Sequence, residues 1–147
     1  MRSRISADLR RQVGLRANFL CEYCLIHAAD TYVGCQVDHI ISEKHGGPTT
    51  IGNLALACSC CNRQKGSDVG SVDKSRGKFI RLFNPRTDGW SRHFRLVGVR
   101  ITWRTAIGEV TVRLLKFNDP MRIAERSLLK RHGKFPSLAA LEKIKAT

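Results

Sequence analysis

The sequence predicts an α+β protein in which two short strands lie between two pairs of cysteines, a short helix begins at the second pair, and a basic mixed segment follows. Segments rich in β-branched residues alternate with segments of helical propensity, and the cysteines recur at Cys-x-x-Cys spacing. The 147 residues are enough for one compact domain with a core of its own. Hydrophobic residues make up 42% and charged residues 26%, which is the usage of a folded chain.

The N-terminal half is predicted to contain a helix, two strands and a second, shorter helix. Ser6 is suited to cap the first helix, because a serine side chain can accept a hydrogen bond from the first helical turn. β-branched residues predict a strand over 32–41, and the apolar run 54–57 predicts a second. Residues 59–65 then favour a short helix, closed by Gly66.

The C-terminal half is predicted to mix strands and helices. Both tryptophans, Trp90 and Trp103, are expected to be buried in a small core. The predicted segments are an exposed connection over 67–78, strands over 79–83 and 94–103, a stretch over 105–117 compatible with strand or helix, a helix opened by Asp119 and Pro120, and a final helix over 137–145.

The charge of the chain is strongly basic and unevenly distributed. Its 17 arginines and 9 lysines give a net charge of +14, which favours a polyanionic partner, nucleic acid first and an acidic membrane surface second. Residues 21–66 carry −1, whereas 1–20 carry +4, 67–118 carry +7 and 119–147 carry +4. We therefore expect the flanks to bind phosphates. Because no long apolar run and no apolar secretory signal is present, we expect a cytoplasmic protein that neither spans nor enters a membrane.

Four of the six cysteines have the spacing of zinc ligands. In a reducing compartment, Cys-x-x-Cys pairs are better explained by a metal than by disulfides, and two such turns supply the four thiolates of a closed structural site. His27 is an alternative ligand to Cys61. Cys35 and Cys60 are left as small hydrophobic side chains. The predicted zinc ligands are Cys21, Cys24, Cys58 and Cys61.

Two adjacent residues of the first predicted strand could carry chemistry. His39 can accept a proton from water near neutral pH, as a general base must. Asp38 supplies the hard oxygen that Mg²⁺ or Mn²⁺ prefers. Because neighbouring residues of a strand point to opposite faces, separate roles suit the two side chains better than shared ligation of one ion.

With these residues in place, the sequence resembles the HNH endonuclease family, in particular small bacterial or phage-type members with a Cys-x-x-Cys zinc site. The resemblance covers about residues 15–68 and implies a ββα-metal core. We expect residues 1–78 to form this core with the N-terminal helix and zinc, and 79–147 to form a basic mixed α/β extension that can pack with it as one domain. The motifs, in order, are Cys21-Glu22-Tyr23-Cys24, Val37-Asp38-His39-Ile40, Gly46-Gly47, Gly52-Asn53-Leu54 and Cys61-Asn62-Arg63-Gln64-Lys65-Gly66.

The resemblance also implies roles for individual residues. His39 corresponds to the general base, and Asn53 to the residue that orients its ring or shapes the turn. Asn62 replaces the final histidine and would hold the catalytic ion with Asp38, which favours Mg²⁺ or Mn²⁺ because an amide oxygen is a hard ligand. Lys65, one helical turn after Asn62, is expected to lie near the same phosphate. Arg63 is a second candidate phosphate contact.

The predicted function is therefore metal-dependent hydrolysis of phosphodiester bonds in DNA, most simply double-stranded DNA. The alternative is a zinc-containing module that binds DNA or RNA without cutting it. Charge and zinc fit both hypotheses, and only the combination of His39, Asp38 and Asn62 separates them. The sequence predicts neither an oligomeric state nor a preferred target site.

Overall fold

The computed structural model describes residues 4–146 and confirms the α+β class. The described strands form three separate antiparallel pairs, β1–β2, β3–β4 and β5–β6. The elements in chain order are α1 (Ala7–Arg16), β1 (Cys35–His39), β2 (Leu54–Cys58), α2 (Ser59–Lys65), β3 (Gly70–Val72), β4 (Phe79–Arg81), α3 (Trp90–His93), β5 (Phe94–Val97), β6 (Arg100–Trp103), α4 (Ala106–Leu114), α5 (Pro120–Arg131) and α6 (Leu138–Lys145).

The succession β1, β2, α2 forms a ββα unit. In the hairpin Asp38 pairs with Ala55 and His39 with Leu54. All five residues of β2 are buried, and Leu54 packs with Val13 of α1 in a small cluster of its own. The unit is therefore covered by α1 on one side and by the main core on the other.

The first strand is shorter than the sequence predicts. It begins after Gly34, whose φ of +74° is the left-handed conformation that glycine adopts without strain. It ends at His39, after which one further backbone hydrogen bond, from the N–H of Ile40 to the carbonyl of Asn53, precedes the loop. This early end leaves Asp38 and His39 at the mouth of the hairpin.

One main core joins the N-terminal and C-terminal parts of the chain. It contains Tyr23 and the four cysteines of the two pairs together with buried aromatic residues from beyond residue 78. Trp90 donates its indole N–H to the carbonyl of Tyr23 at 2.8 Å. The rings of Phe83 and Phe94 meet edge to face with centroids 5.1 Å apart. The predicted division at residue 78 falls inside the turn of the β3–β4 hairpin.

Two further local predictions differ from the structure, and one alternative that the sequence left open is resolved. The connection over 67–78 contains β3, which gains its partner only when β4 folds back on it. The ambiguous stretch 105–117 contains α4, whose first turn is capped by the Thr105 hydroxyl accepting from the N–H of Gly108 at 3.1 Å. Trp103 is 54% exposed, whereas Trp90 is buried as expected. Trp103 ends its strand opposite Phe94, which is itself fully buried.

Candidate active site and metal centre

The four predicted zinc ligands meet in one buried cluster. Their sulfur atoms all lie within 4.8 Å of one another, and those of Cys24 and Cys58 are 3.7 Å apart. A tetrahedral zinc with Zn–S bonds of about 2.3 Å places its sulfurs about 3.8 Å apart, so this cluster fits the ion. The two pairs are built alike, because the N–H of Cys24 approaches Sγ of Cys21 at 3.4 Å and the N–H of Cys61 approaches Sγ of Cys58 at the same distance.

The alternative ligand and the remaining cysteines lie outside this cluster. His27 accepts a hydrogen bond from the N–H of Ala29 at 3.0 Å and so caps a short 3-10 turn. Cys35 and Cys60 are half-buried and pack against the main core. The structure therefore selects Cys61 over His27 as the fourth member of the set.

An arginine from the C-terminal part of the chain covers the cysteine cluster. Arg122, in the first turn of α5, lies with Nη2 3.0 Å from Sγ of Cys61 and 3.6 Å from Sγ of Cys58. Its Nη1 donates to the carbonyl of Leu115 at 2.8 Å, and the residue is 6% exposed. Burial acts to lower the pKa of Arg122, but the neighbouring thiolates, led by Cys24, outweigh burial and raise it. The sequence carries no local signal for this contact.

A cavity of about 450 Å³ opens beside the end of β1. Asp38 and His39 reach it from the strand, and the following turn and the end of α2 complete its wall. The hydroxyl oxygen of Ser42 on this wall is buried, and no group among residues 4–146 forms a hydrogen bond with it. The remaining lining residues are Glu43, Lys44, Gly66 and Ser67. The cavity thus combines carboxylates, an imidazole and a hydroxyl, as a polar active site requires.

Asp38 and Lys65 form a buried ion pair at this cavity. The Nζ atom of Lys65 lies 3.1 Å from Oδ2 of Asp38, and the hydroxyl of Tyr23 lies 3.2 Å from the same oxygen. Lys65, only 2% exposed, also donates to the carbonyl of His39 at 2.9 Å. Burial raises the pKa of Asp38, and the Lys65 ammonium opposes that effect. The ammonium therefore lies inside the site rather than on the outer face of α2.

The imidazole of His39 contacts two side chains of the following loop. Its Nε2 lies 2.9 Å from Oγ1 of Thr49 and 3.4 Å from Oε1 of Glu43. The hydroxyl of Thr49 in turn donates to Oε1 of Glu43 at 2.9 Å. The sequence reveals Glu43 only as a nearby acid and gives no signal for Thr49, because the loop brings the two together.

Asn53 holds the loop rather than the imidazole. Its Oδ1 accepts from the N–H of Ile41 at 3.0 Å, and its Nδ2 donates to the carbonyls of Ile41 and Pro48, both at 2.9 Å. A Cβ atom at Gly47 would collide with the carbonyl of Ile41 and with Nδ2 of Asn53, so the loop closes only with glycine there. Of the two roles predicted for Asn53, these contacts correspond to shaping the turn.

The two predicted contact residues in the middle of α2 lie apart from the cavity. Asn62 is half-buried and donates from Nδ2 to Oε1 of Gln36 on β1 at 2.6 Å. Arg63 is exposed, and its Nη2 lies 3.9 Å from Sγ of Cys60. Over the described residues 4–146, the wall of the cavity includes neither Asn62 nor Arg63. The structure therefore brings together Asp38, His39 and Lys65 but leaves Asn62 at the edge of the site.

Comparison with known proteins yields one family. Residues 21–68 match the family described as HNH endonuclease, an interval that includes all four clustered cysteines, the β1–β2 hairpin and α2. Neither the curated proteins nor the solved structures yield a match to this chain. None of the helices within residues 4–146 has the length and apolar character needed to cross a membrane. The resemblance is thus confirmed over residues 21–68, which match the HNH endonuclease family through a ββα unit with four clustered cysteines.

Proposed function

We propose that the protein is a metal-dependent endonuclease that hydrolyses phosphodiester bonds in DNA. The observation that carries this proposal is the placement of Asp38 and His39 together on one polar cavity, within the interval that matches the HNH endonuclease family. A module that only binds nucleic acid has no need of a general base and a carboxylate that open onto the same cavity.

His39 is the general base. It takes a proton from a water molecule, the water oxygen forms a bond to phosphorus, and the bond from phosphorus to the leaving ester oxygen breaks. The leaving oxygen then takes up a proton from solvent. Lys65 supports this chemistry by holding Asp38 and by placing a positive charge beside the cavity, where negative charge develops on the phosphate.

Asp38 and Asn62 are the residues that would hold the catalytic cation, Mg²⁺ or Mn²⁺. A carboxylate and an amide oxygen are donors that such ions accept. Asp38 lies on the cavity wall, whereas Asn62 lies outside it, hydrogen-bonded to Gln36, which shares a face of β1 with Asp38. The Oγ atom of Ser42, which has no hydrogen-bond partner among residues 4–146, is a further oxygen on the wall. When bound, the ion supplies positive charge to the phosphate and to the leaving oxygen. The clustered cysteines hold a structural zinc, since four thiolates leave no open coordination position.

Double-stranded DNA is the proposed substrate, bound mainly through its phosphates. The positive charge lies in the segments that flank residues 21–66. Arginine is more frequent than lysine in this chain, and its planar guanidinium can donate two hydrogen bonds to one phosphate. Arg63 is exposed on α2, outside the cavity wall, and is the proposed phosphate contact on that helix.

The metal requirement is tested by conversion of supercoiled plasmid to open or linear form. The purified protein is assayed with Mg²⁺, with Mn²⁺ and without added metal, beside the variants Asn62→Ala and Gln64→Ala. The control residue lies on the same helix and is likewise half-buried. We expect metal-dependent cutting that is lost in Asn62→Ala and retained in Gln64→Ala. Plasmid binding without any cutting would favour the non-catalytic binding module, and equal cutting by both variants would remove Asn62 from the ion site.

A further inference from the structure

We propose that Thr49 and Glu43 are positioning residues that hold the imidazole of His39 with its hydrogen on Nε2, so that Nδ1 is the nitrogen that accepts the proton of water. This inference rests on the proposed function of His39 as general base. It assigns roles to two residues of the loop between β1 and β2.

The direction of the hydrogen bonds follows from the number of hydrogens available. A threonine hydroxyl carries one hydrogen, and Thr49 donates it to Oε1 of Glu43, which as a carboxylate can only accept. Oγ1 of Thr49 is then left to accept from its other neighbour, Nε2 of His39, at 2.9 Å. A neutral imidazole has a single N–H, so a hydrogen on Nε2 leaves the lone pair on Nδ1.

The carboxylate of Glu43 has a second effect on the ring. Its Oε1 lies 3.4 Å from Nε2 of His39, and the side chains of His39 and Glu43 are 10% and 21% exposed. A carboxylate at this distance attracts a hydrogen on Nε2, so both neighbours of Nε2 favour the Nε2–H tautomer. The partial burial of both side chains limits the screening of this attraction by solvent.

The loop that carries Thr49 is itself fixed by Asn53. The three hydrogen bonds of the Asn53 side chain close the segment between Ile41 and Pro48, immediately before Thr49. Asn53 therefore acts on His39 through the backbone that presents Thr49 and not through contact with the ring. This arrangement separates two tasks, because Asn53 builds the loop and Thr49 with Glu43 orients the base.

The first test measures the tautomer of His39 directly. Nitrogen NMR of protein labelled at its histidines, recorded above the ordinary range of histidine pKa values, distinguishes Nε2–H from Nδ1–H, and a His39→Gln variant identifies the signal among the five histidines. We expect Nε2–H in the wild type and in Thr49→Ser, which keeps the hydroxyl. In Glu43→Gln the side-chain amide can donate to Thr49, the hydroxyl can turn toward His39, and the Nδ1–H form should increase. An Nδ1–H tautomer in the wild type would overturn the proposal.

The second test measures cleavage. Thr49→Val and Glu43→Gln should lower kcat by about a hundredfold with KM little changed, because the general base and not DNA binding is affected. Thr49→Ser, which keeps the hydroxyl, should retain most of the wild-type rate. Thr50→Val is the matched control, since Thr50 is exposed and its side chain does not cap the turn that follows. A rate for Thr49→Val equal to that of Thr50→Val would overturn the positioning role.

The two measurements separate this inference from the proposed function. A wild-type Nε2–H tautomer that is lost in Glu43→Gln supports the positioning role even if the protein cuts no DNA, in which case only the nuclease proposal fails. If the wild type cuts DNA but carries the hydrogen of His39 on Nδ1, the nuclease proposal stands and the positioning role fails.

Discussion

The guanidinium of Arg122 lies 3.0 Å from Sγ of Cys61, although 61 residues separate the two in sequence. A zinc ion with four thiolates leaves two negative charges in excess inside the protein, and a buried cation beside them reduces the cost of that charge. Because Arg122 belongs to α5, the helix that follows the basic middle of the chain contacts the cysteine cluster directly. The cysteine cluster is thereby part of the contact between the ββα unit and α5.

Replacement of Arg122 should loosen the zinc. In Arg122→Met the aliphatic bulk is kept but the charge is lost, so the free energy of unfolding should fall by about 3 kcal/mol. Zinc should also pass faster to a chromogenic chelator. Arg131→Met, at the exposed end of the same helix, is the control. Identical zinc-release rates for the two variants would show that Arg122 does not stabilise the metal centre.

Loss of one thiolate should abolish zinc binding and folding together. Cys21→Ser removes a ligand from the cluster, and the chain should lose its single zinc and its cooperative unfolding transition. Cys60→Ser is the matched control, because Cys60 lies between two ligands in sequence but outside the cluster. Metal analysis and thermal unfolding check both. A folded Cys21→Ser protein without zinc would contradict the architecture.

A buried ion pair joins the two halves of the chain at Glu22. This carboxylate is fully buried, pairs with Arg86 and lies 3.7 Å from Nζ of Lys143. Arg86→Met should lower the free energy of unfolding by about 3 kcal/mol, because it leaves a buried charge without its main partner. Addition of Glu22→Gln should restore part of that loss, as urea unfolding of the single and double variants will show. If the double variant loses as much free energy of unfolding as the two single variants together, the two residues do not interact.

DNA affinity should fall steeply with salt. Each phosphate neutralised by a cation releases counterions, so the logarithm of the affinity should decrease linearly with the logarithm of salt concentration. Arg63→Gln should make this slope shallower by about 0.9, the loss of one phosphate contact. Gln64→Ala, which removes no charge from the same helix, should leave the slope unchanged. A flat dependence in the wild type would contradict phosphate-driven binding.

The parts of the site that sequence could predict are those encoded by local spacing. The four clustered cysteines follow from two Cys-x-x-Cys turns, and in each turn the backbone N–H of the second cysteine contacts Sγ of the first. The strand that carries Asp38 and His39 follows from its β-branched neighbours. Ser6 and Ser137 cap helices as serine does at such positions.

The remaining contacts depend on how distant segments pack. Lys65 reaches Asp38 because α2 folds back over β1, although helical spacing alone places it beside Asn62. Thr49 meets His39 only after the loop between the strands has closed. Arg122 has no feature in its own sequence neighbourhood that points to a thiolate. Such contacts are fixed by tertiary packing, and the local propensity of a segment does not predict them.

The most direct test of the proposed nuclease activity is the rate at which the purified protein cuts DNA when its proposed general base is removed. Nicking of supercoiled plasmid is compared for the wild type, His39→Ala and His132→Ala in the presence of Mg²⁺ or Mn²⁺; His132 is exposed at the end of α5. We expect His39→Ala to lose at least about a hundredfold in rate and His132→Ala to cut like the wild type. Equal cutting by His39→Ala and the wild type would contradict the assignment of His39 as the base.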